Sequence, residues 1–582
     1  MFLATTSTRE FWNPSGKLIY LGEWCLLYSE KKQKKSFDSD IIPFYWDSGS
    51  KTEVAIRYCQ LILEKLYTEL TRVLNSYHGV DYEIKYYKLL LGTWPFHFIH
   101  QLYDKYIHLK TAIALYPDLH TWSLDKDQHY IPVDPIDYFK VLLTGNDDRY
   151  QLQIYSDLLI LMEIQYSNKK LLNPLLQKSR YQRTIKKYSK SNIYRIISGR
   201  ISKLHTFCLS DVPLTFFQMI SLFIRMRGNI LVDNFNYDID ISCKPDLQYR
   251  KEIKLEMNGD HFESLLSSII LKHLPIIYLE GYKELHAQVF QKEDRNPSSF
   301  LTSQIAGNVC RSIYVAEKYK IMNIYSLQHG GGYGVDKLNP SEMYERDVSD
   351  LFFTSGWVDD EKTKPLSIPI FKNKSYNIKQ RKDILFCIND LPRYVFRFHY
   401  VPMGAAAMNN YLADSIRFLS ALNNKSRIII RIYPDDNRFG NCTKERVDYE
   451  HPGLRYDSSR RSFLTALKYS RLFVSNYFNT ASLEALANNI PTVVFLDKEI
   501  FAFSDHAMPF ISMLYSVGIL HETPASAAAF IDKNYADIMS WWESASVQKA
   551  RISFVNKYAS CVDNWQQEWH GVIERNIVAK KI

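Results

Sequence analysis

Two kinds of apolar pattern divide this chain. Near the start, Val54, Ile56, Leu61, Ile62, Leu66, Leu70, Val73 and Leu74 recur at helical spacing, which predicts an amphipathic helix over 51–76. Residues 82–118 read as helical too, broken at Trp94-Pro95, because proline lacks the N–H a helix needs. A short element starts at Asp134-Pro135, and a further helix is predicted over 154–166. After about residue 210 the pattern changes to short apolar runs alternating with amphipathic stretches. Strands are predicted at 229–232, 298–303, 324–327 and 351–354, with helices at 260–273 and 305–319. A second series follows, with strands at 384–388, 427–432, 472–474 and 492–496. Helices at 405–422, 460–469 and 481–488 separate them, and 525–554 is mostly helical. Continuous apolar strands separated by helices indicate parallel, doubly wound sheets. The pattern therefore predicts an α/β protein of two Rossmann-type domains facing across a cleft, with extra N-terminal helices. The first domain is expected over 1–364, with a helical insertion at about 51–225. Residues 365–382, with Pro365, Pro369 and several lysines, read as a linker to a second domain over 383–582.

The stretch Ile324-Tyr325-Ser326-Leu327-Gln328-His329-Gly330-Gly331-Gly332-Tyr333-Gly334 is the most informative. An apolar run ends in Gln-His and glycines follow at once, so His329 is expected at a strand tip. In open α/β sheets ligands sit just beyond the carboxyl ends of the strands. Gly330 and Gly331 would let the backbone approach a ligand closely. Glu23 closes the predicted strand at 17–22 and could serve as a general acid or base, or as a paired structural acid. In the second domain, the strand ending at Val474 leads through Asn479 and Thr480 into a helix containing Ser482 and Glu484. A helix N-terminus with hydroxyls suits a phosphate, and Glu484 could accept from ribose hydroxyls; ordinary capping is the alternative. Arg393 and Arg431 follow or end strands and could bind phosphate or carboxylate, or lie on the surface. His451-Pro452 reads as a turn.

Composition narrows the class. The 582 residues are 46% hydrophobic with a formal charge of +9, so the chain is globular and too long for one core. From Lys169 to Lys203 there are eleven Lys or Arg and no acid. Buried, such a run would cost more than folding supplies, so it must face solvent or an anionic partner. Arg183, Lys186, Lys187 and Lys190 form its densest group and are the expected contact with an anionic inner-membrane surface. Nucleic acid is not expected, because no nucleic-acid module accompanies the run. Eight cysteines are scattered without CxxC spacing, which points away from zinc and redox motifs and toward a reducing cytoplasm. Residues 209–226 are too polar for a membrane span. No cofactor and no metal site is expected.

Several segments together resemble a known family. They are Phe2-Leu3-Ala4-Thr5-Thr6 with Phe11-Trp12, Leu21-Gly22-Glu23-Trp24-Cys25, Gly92-Thr93-Trp94-Pro95, the Gln328 to Gly334 stretch, Glu345 through Gly356-Trp357, Pro392-Arg393-Tyr394, Arg431-Ile432-Tyr433-Pro434 and the run from Leu483 to Pro491. In this order they resemble a transferase family of bacterial O-antigen and surface-polysaccharide loci. Its C-terminal half looks like a GT-B glycosyltransferase, similar to capsule enzymes that use CMP-activated 2-keto sugar acids. The resemblance implies transfer of a sugar from a nucleotide-sugar donor to a glycan or lipid-linked acceptor, without a metal. The donor would lie against Gly330, Gly331, Arg393, Arg431, Asn479, Thr480, Ser482 and Glu484. The acceptor would lie near Glu23 and His329, one of which would take its proton. A sugar-nucleotide epimerase, a polyol-phosphate transferase and a non-catalytic assembly partner remain alternatives on the same fold.

Overall fold

Three parallel sheets carry the fold. The computed structural model describes residues 1–13, 15–28, 39–184, 207–372, 378, 380–458 and 461–576. The first sheet contains β1 (Phe2–Ala4), β2 (Leu18–Tyr20), β3 (Ser39–Ile41), β4 (His120–Leu124) and β5 (Gln165–Lys169), ordered β3-β2-β1-β4-β5. An antiparallel ribbon pairs β6 (Arg180–Arg183) with β9 (Ile239–Ser242). The second sheet holds β7 (Phe207–Ser210), β8 (Ile230–Val232), β10 (Ser299–Thr302), β11 (Asn323–Leu327), β12 (Leu351–Thr354) and β13 (Thr363–Pro365). Its order is β13-β12-β11-β10-β7-β8. The third holds β14 (Asp383–Asn389), β15 (Ile428–Tyr433), β16 (Arg455–Tyr456), β17 (Ser470–Ser475), β18 (Thr492–Phe495) and β19 (Leu520–His521), ordered β16-β15-β14-β17-β18-β19.

Numbered from its own first strand, the third sheet runs 3-2-1-4-5-6, the Rossmann order, and the second runs 2-1-3-4-5-6. In both, the order reverses beside the first strand, and a crevice opens there at the carboxyl edge. The two carboxyl edges face each other, so these are the two Rossmann-type units of a GT-B-like arrangement. Their central strands are legible in the sequence because they are buried on both faces: Ile384, Phe386, Ile388, Ile428 and Ile430 are all within 2% of full burial, while β7, β13 and β19 went unread.

The N-terminal segment is more than added helices. It forms a sheet of its own, with the order 3-2-1-4-5. Its strands are three to five residues long, and Ser39-Asp40-Ile41 and Gln165–Lys169 are largely polar, so no apolar alternation marks them. The helix expected to run to 166 ends at Leu161, and β5 follows it. The expected helical insertion over 51–225 contains β4 to β7 besides its helices. The expected linker is packed where it begins, with Leu366, Ile368 and Phe371 buried and Trp569 Nε1 donating to the Ser367 carbonyl at 2.8 Å. Helices Ala545–Tyr558 and Trp565–Arg575 return from the third sheet to the second, where Ser355 Oγ donates to the Tyr558 carbonyl at 2.6 Å. Among the described residues, no helix is long and apolar enough to cross a membrane.

The described part of the basic run is paired with protein. Lys169 lies 3.4 Å above the Trp122 ring, Lys178 pairs with Asp137, and Arg180 pairs with Asp240. Arg183 donates to Asn308 Oδ1 at 2.8 Å and to Asn236 Oδ1, so its guanidinium is engaged by these amides. Lys186, Lys187 and Lys190 lie outside the described residues.

Two junctions fix the units. At the first, the loop after β14 enters the carboxyl edge of the first sheet. Arg393 donates to Asp148 Oδ1 at 2.6 Å, to the Gly145 carbonyl at 2.7 Å and to the Trp24 carbonyl. Asp148 Oδ2 also accepts from Tyr394 Oη at 2.7 Å and from Ser7 N and Oγ at 2.8 and 2.6 Å. At the second junction Gly331 N donates to Thr480 Oγ1 at 3.0 Å, and Ser504 Oγ donates to the Gly334 carbonyl at 2.9 Å. A Cβ on Gly331 would lie 2.4 Å from Thr480 N, so only glycine lets the two edges meet this closely.

Removing one partner of a buried ion pair strands the other, at a cost of about 3–5 kcal/mol. Asp148→Ala should therefore lower the urea midpoint of the transition that exposes the first junction. Asp148→Ala with Arg393→Met should recover part of that loss, and equal midpoints for the single and double variants would refute the pairing. At the second junction, Gly331→Ala should increase the radius of gyration in solution scattering and hydrogen exchange over 329–334. Gly330→Ala, whose Cβ would meet the Tyr333 ring at 3.3 Å, should stay near wild type.

Candidate active site

The second junction gathers the titratable groups. His329 lies two residues past β11. Its neighbour Gln328 is buried and holds the backbone on both sides. Gln328 Oε1 accepts from Ser355 N at 3.0 Å and Trp357 Nε1 at 2.8 Å, and Nε2 donates to the Gly330 carbonyl at 3.0 Å. The His329 ring is open to solvent on one side and enclosed by protein on the other. Its Nδ1 is 3.5 Å from Glu345 Oε1, and its face meets the edge of Tyr333 at 5.2 Å. Glu345 sits on the helix Pro340–Val348 and is buried, with Oε2 lacking a hydrogen-bond partner. Burial pushes its carboxyl well above the usual range. Burial and then the nearby Arg397 guanidinium push His329 down to about 4, so its imidazole is neutral at physiological pH.

Among the described residues, Arg397 is a cation of the junction without a carboxylate partner. It sits in the loop after β14, at the switch point of the third sheet. One terminal nitrogen donates to Ser341 Oγ at 2.7 Å, while Nε is buried without a partner. Asp336, in the glycine loop, is pushed up to about 8 by burial and then by the Glu342 carboxylate, with Asn339 and Arg397 acting in the opposite direction. His97 and His100 brace the Arg397 loop from the helix Trp94–Leu115. His97 stacks with Phe396, ring centroids 5.8 Å apart, and His100 Nδ1 accepts from Phe398 N at 2.9 Å. Burial pushes both histidines down, so the Gly92-Thr93-Trp94-Pro95 segment opens a helix whose neutral histidines hold this loop.

A cavity of ≈ 180 Å³ opens beside this cluster at the carboxyl ends of β17, β18 and β19. Asn476, Asp414, Asp497 and Phe501 line it. Asn476 Nδ2 donates to Ser415 Oγ at 2.7 Å, but its Oδ1 is buried without a partner. Phe501 in its wall is two residues before Phe503, which pairs with Asp336 in the glycine loop, so the cavity lies alongside the junction.

The residues expected to act together are divided. Glu23 lies at the other junction, where its carboxylate accepts from Asn409 Nδ2, and it does not approach His329. Gly330 and Gly331 are in the cleft, with Gly331 against Thr480 instead of an open backbone face. Asn479 caps its helix through Ala481 N at 2.9 Å, Ser482 donates to the Tyr477 carbonyl at 3.0 Å, and Glu484 is buried. Arg431 is buried against Asp457 and the Arg461 carbonyl, and Arg393 against Asp148. Each of these side chains thus has partners within the protein. Arg397 and Asp336 went unread in the sequence. The usable signal for Arg397 was an Arg and a His interrupting an aromatic run, Phe396-Arg397-Phe398-His399-Tyr400, in the loop after a strand.

Among curated proteins none matches the sequence. Solved structures match it distantly. Acinetobacter baumannii MurG is 12% identical, with 64% of this chain and 100% of that chain covered, at a TM-score of 0.33. The wall teichoic acid polymerase TagF is 10% identical, covering 67% and 93%, at 0.33. The lipopolysaccharide outer core galactosyltransferase WaaB is 10% identical, covering 64% and 99%, at 0.33. Superpositions of this quality decide nothing about the chain, whose fold stands on its own strand orders. The family comparison is decisive, because it spans nearly the whole chain: the protein belongs to the LIC12162 family of transferases, whose model matches residues 1–573.

Proposed function

We propose that this transferase is a glycosyltransferase that moves a sugar from a nucleotide donor to a surface-glycan acceptor, in O-antigen or capsule synthesis. The observation that supports it most directly is the meeting of neutral His329, buried Glu345 and partly unpaired Arg397 where two Rossmann-type carboxyl edges face each other. Clustered, environment-shifted titratable groups in a crevice mark functional sites. The nucleoside would enter the cavity at Asn476, whose free Oδ1 can accept from a base or ribose. The phosphate would lie toward Arg397. Neutral His329 would take the acceptor hydroxyl proton as that oxygen attacks the anomeric carbon. The bond to the donor phosphate breaks, and its electron pair leaves with the phosphate, whose growing charge Arg397 stabilises. The resemblance to capsule enzymes makes CMP-activated 2-keto sugar acids the first donor class to test. A lipid-linked acceptor would bring the enzyme to the anionic inner leaflet, where Lys186, Lys187 and Lys190 are the proposed contacts.

Thermal stabilisation by a panel of nucleotide sugars, followed by transfer assays with the best of them, tests this. Losing the base should lower kcat in His329→Asn by about 10²–10⁴-fold with the fold intact. Arg397→Gln should weaken donor binding by about 1.5–3 kcal/mol, roughly ten- to a hundredfold. Wild-type turnover in both variants would reject the site.

Asp336 supplies a pH test. Its value of about 8 in the folded chain is above the ~3.9 of an unfolded aspartate. Between these values the folded chain holds a proton that the unfolded chain has lost. The resulting stabilisation is complete below about pH 4 and disappears as pH rises through about 8. The melting temperature of wild type relative to Asp336→Asn should therefore fall from pH 6 to pH 9 and then level off. A pH-independent difference would show that Asp336 titrates normally.

A further inference from the structure

A second cavity, of ≈ 240 Å³, lies at the first junction, between the N-terminal sheet and the third sheet. It is lined by Glu23, Leu26, Tyr28, Asn409, Asn441 and Arg446 among others, and shares no lining residue with the cavity at Asn476. Arg446 and Glu23 carry opposite charges, but no ion pair joins them. The amide of Asn409 stands between: Arg446 donates to Asn409 Oδ1 at 2.7 Å, and Asn409 Nδ2 donates to Glu23 Oε2. Direct pairing would use up both charges. The interposed amide leaves the guanidinium with one donor engaged of five, and the carboxylate with most of its lone pairs open. The Arg446 guanidinium makes no other hydrogen bond among the described residues. Its guanidinium lies over the Tyr28 ring, 5.1 Å from the centroid, and partial burial weakens its hold on its proton. A half-buried cation without a carboxylate partner at a cavity wall is favourable once an anion fills the cavity.

We infer that this cavity is a binding site for one anionic sugar. Arg446 would hold its carboxylate or phosphate, Glu23 would accept from its hydroxyls, and Tyr28 and Leu26 would pack its apolar face. Drug-sized ligands need roughly 300–1,000 Å³, so the volume suits a single ring better than a nucleotide sugar. The site does not depend on the transfer reaction proposed above and can be tested without a donor.

Calorimetry on the full chain, with glucuronate, glucose 1-phosphate, neutral glucose and inorganic phosphate as probes, decides it. The two sugar anions should bind saturably and at least tenfold more tightly than glucose. The preference between them reports whether carboxylate or phosphate is the natural charge. Arg446→Gln, checked for an unchanged melting profile, should lose both anions by tenfold or more. Glu23→Gln should narrow the preference for glucose 1-phosphate over inorganic phosphate, because the hydroxyl acceptor is weakened and its repulsion removed. Equal affinity in wild type and both variants would overturn the site. Displacement of the sugar anions by CMP or UDP would also overturn it, because the cavity would then belong to the nucleotide.

Discussion

The buried pair of Arg393 and Asp148 is the constraint from which the two cavities and the junctions take their places. Both side chains are almost fully buried, and neither charge could stay there alone. Asp148 is tolerated because four donors from three residues reach it: Ser7, Arg393 and Tyr394. These donors come from opposite ends of the chain, so the network can form only when the loop after β14 is seated on the carboxyl edge of the first sheet. A hydrophobic pair of similar volume could be as stable, but it would accept many seatings. Charges that must find each other in a dry interior accept one.

That seating determines what the rest of the same loop can do. Four residues after Arg393 comes Arg397, which the histidines of the Trp94–Leu115 helix hold toward the second sheet. The loop ends at Gly404, whose φ of +70° suits glycine, and the helix it enters carries Asn409 into the other cavity. One connection thus supplies a cation to the His329 cluster and an amide to the Glu23 cluster.

The fold was legible where burial was complete. The central strands of the second and third sheets are continuous apolar runs and were read within a few residues, whereas β7, β13 and β19 and helices such as Pro340–Val348 and Met508–Ser516 were not. The first sheet was not legible, because Phe2-Leu3-Ala4, Ser39-Asp40-Ile41 and Gln165–Lys169 are too short or too polar to show a period. The site was legible only in part. His329 at a strand tip followed from chain order alone. Which arginine faces the cleft did not, because Arg393, Arg397 and Arg431 all follow or end strands, and their fates depend on partners far away in sequence. Asp148, which claims Arg393, lies 245 residues from it, and no local pattern announces such a pairing.

The glycines show how a correct motif can carry a different role. Four glycines beside a strand tip suggested backbone approaching a ligand, and a helix N-terminus at Thr480 suggested a phosphate held by free N–H groups. The structure sets the two features against each other. Gly331 is bare because Thr480 and the backbone of Asn479 occupy the space a side chain would need, and Thr480 accepts the Gly331 N–H. In this arrangement one of the helix's first amides, Ala481 N, is taken by the Asn479 side chain at 2.9 Å, and Gly331 lies against the helix start. In the proposed reaction the donor phosphate would meet a side-chain cation here, and Arg397, with its unpaired Nε, is placed for it.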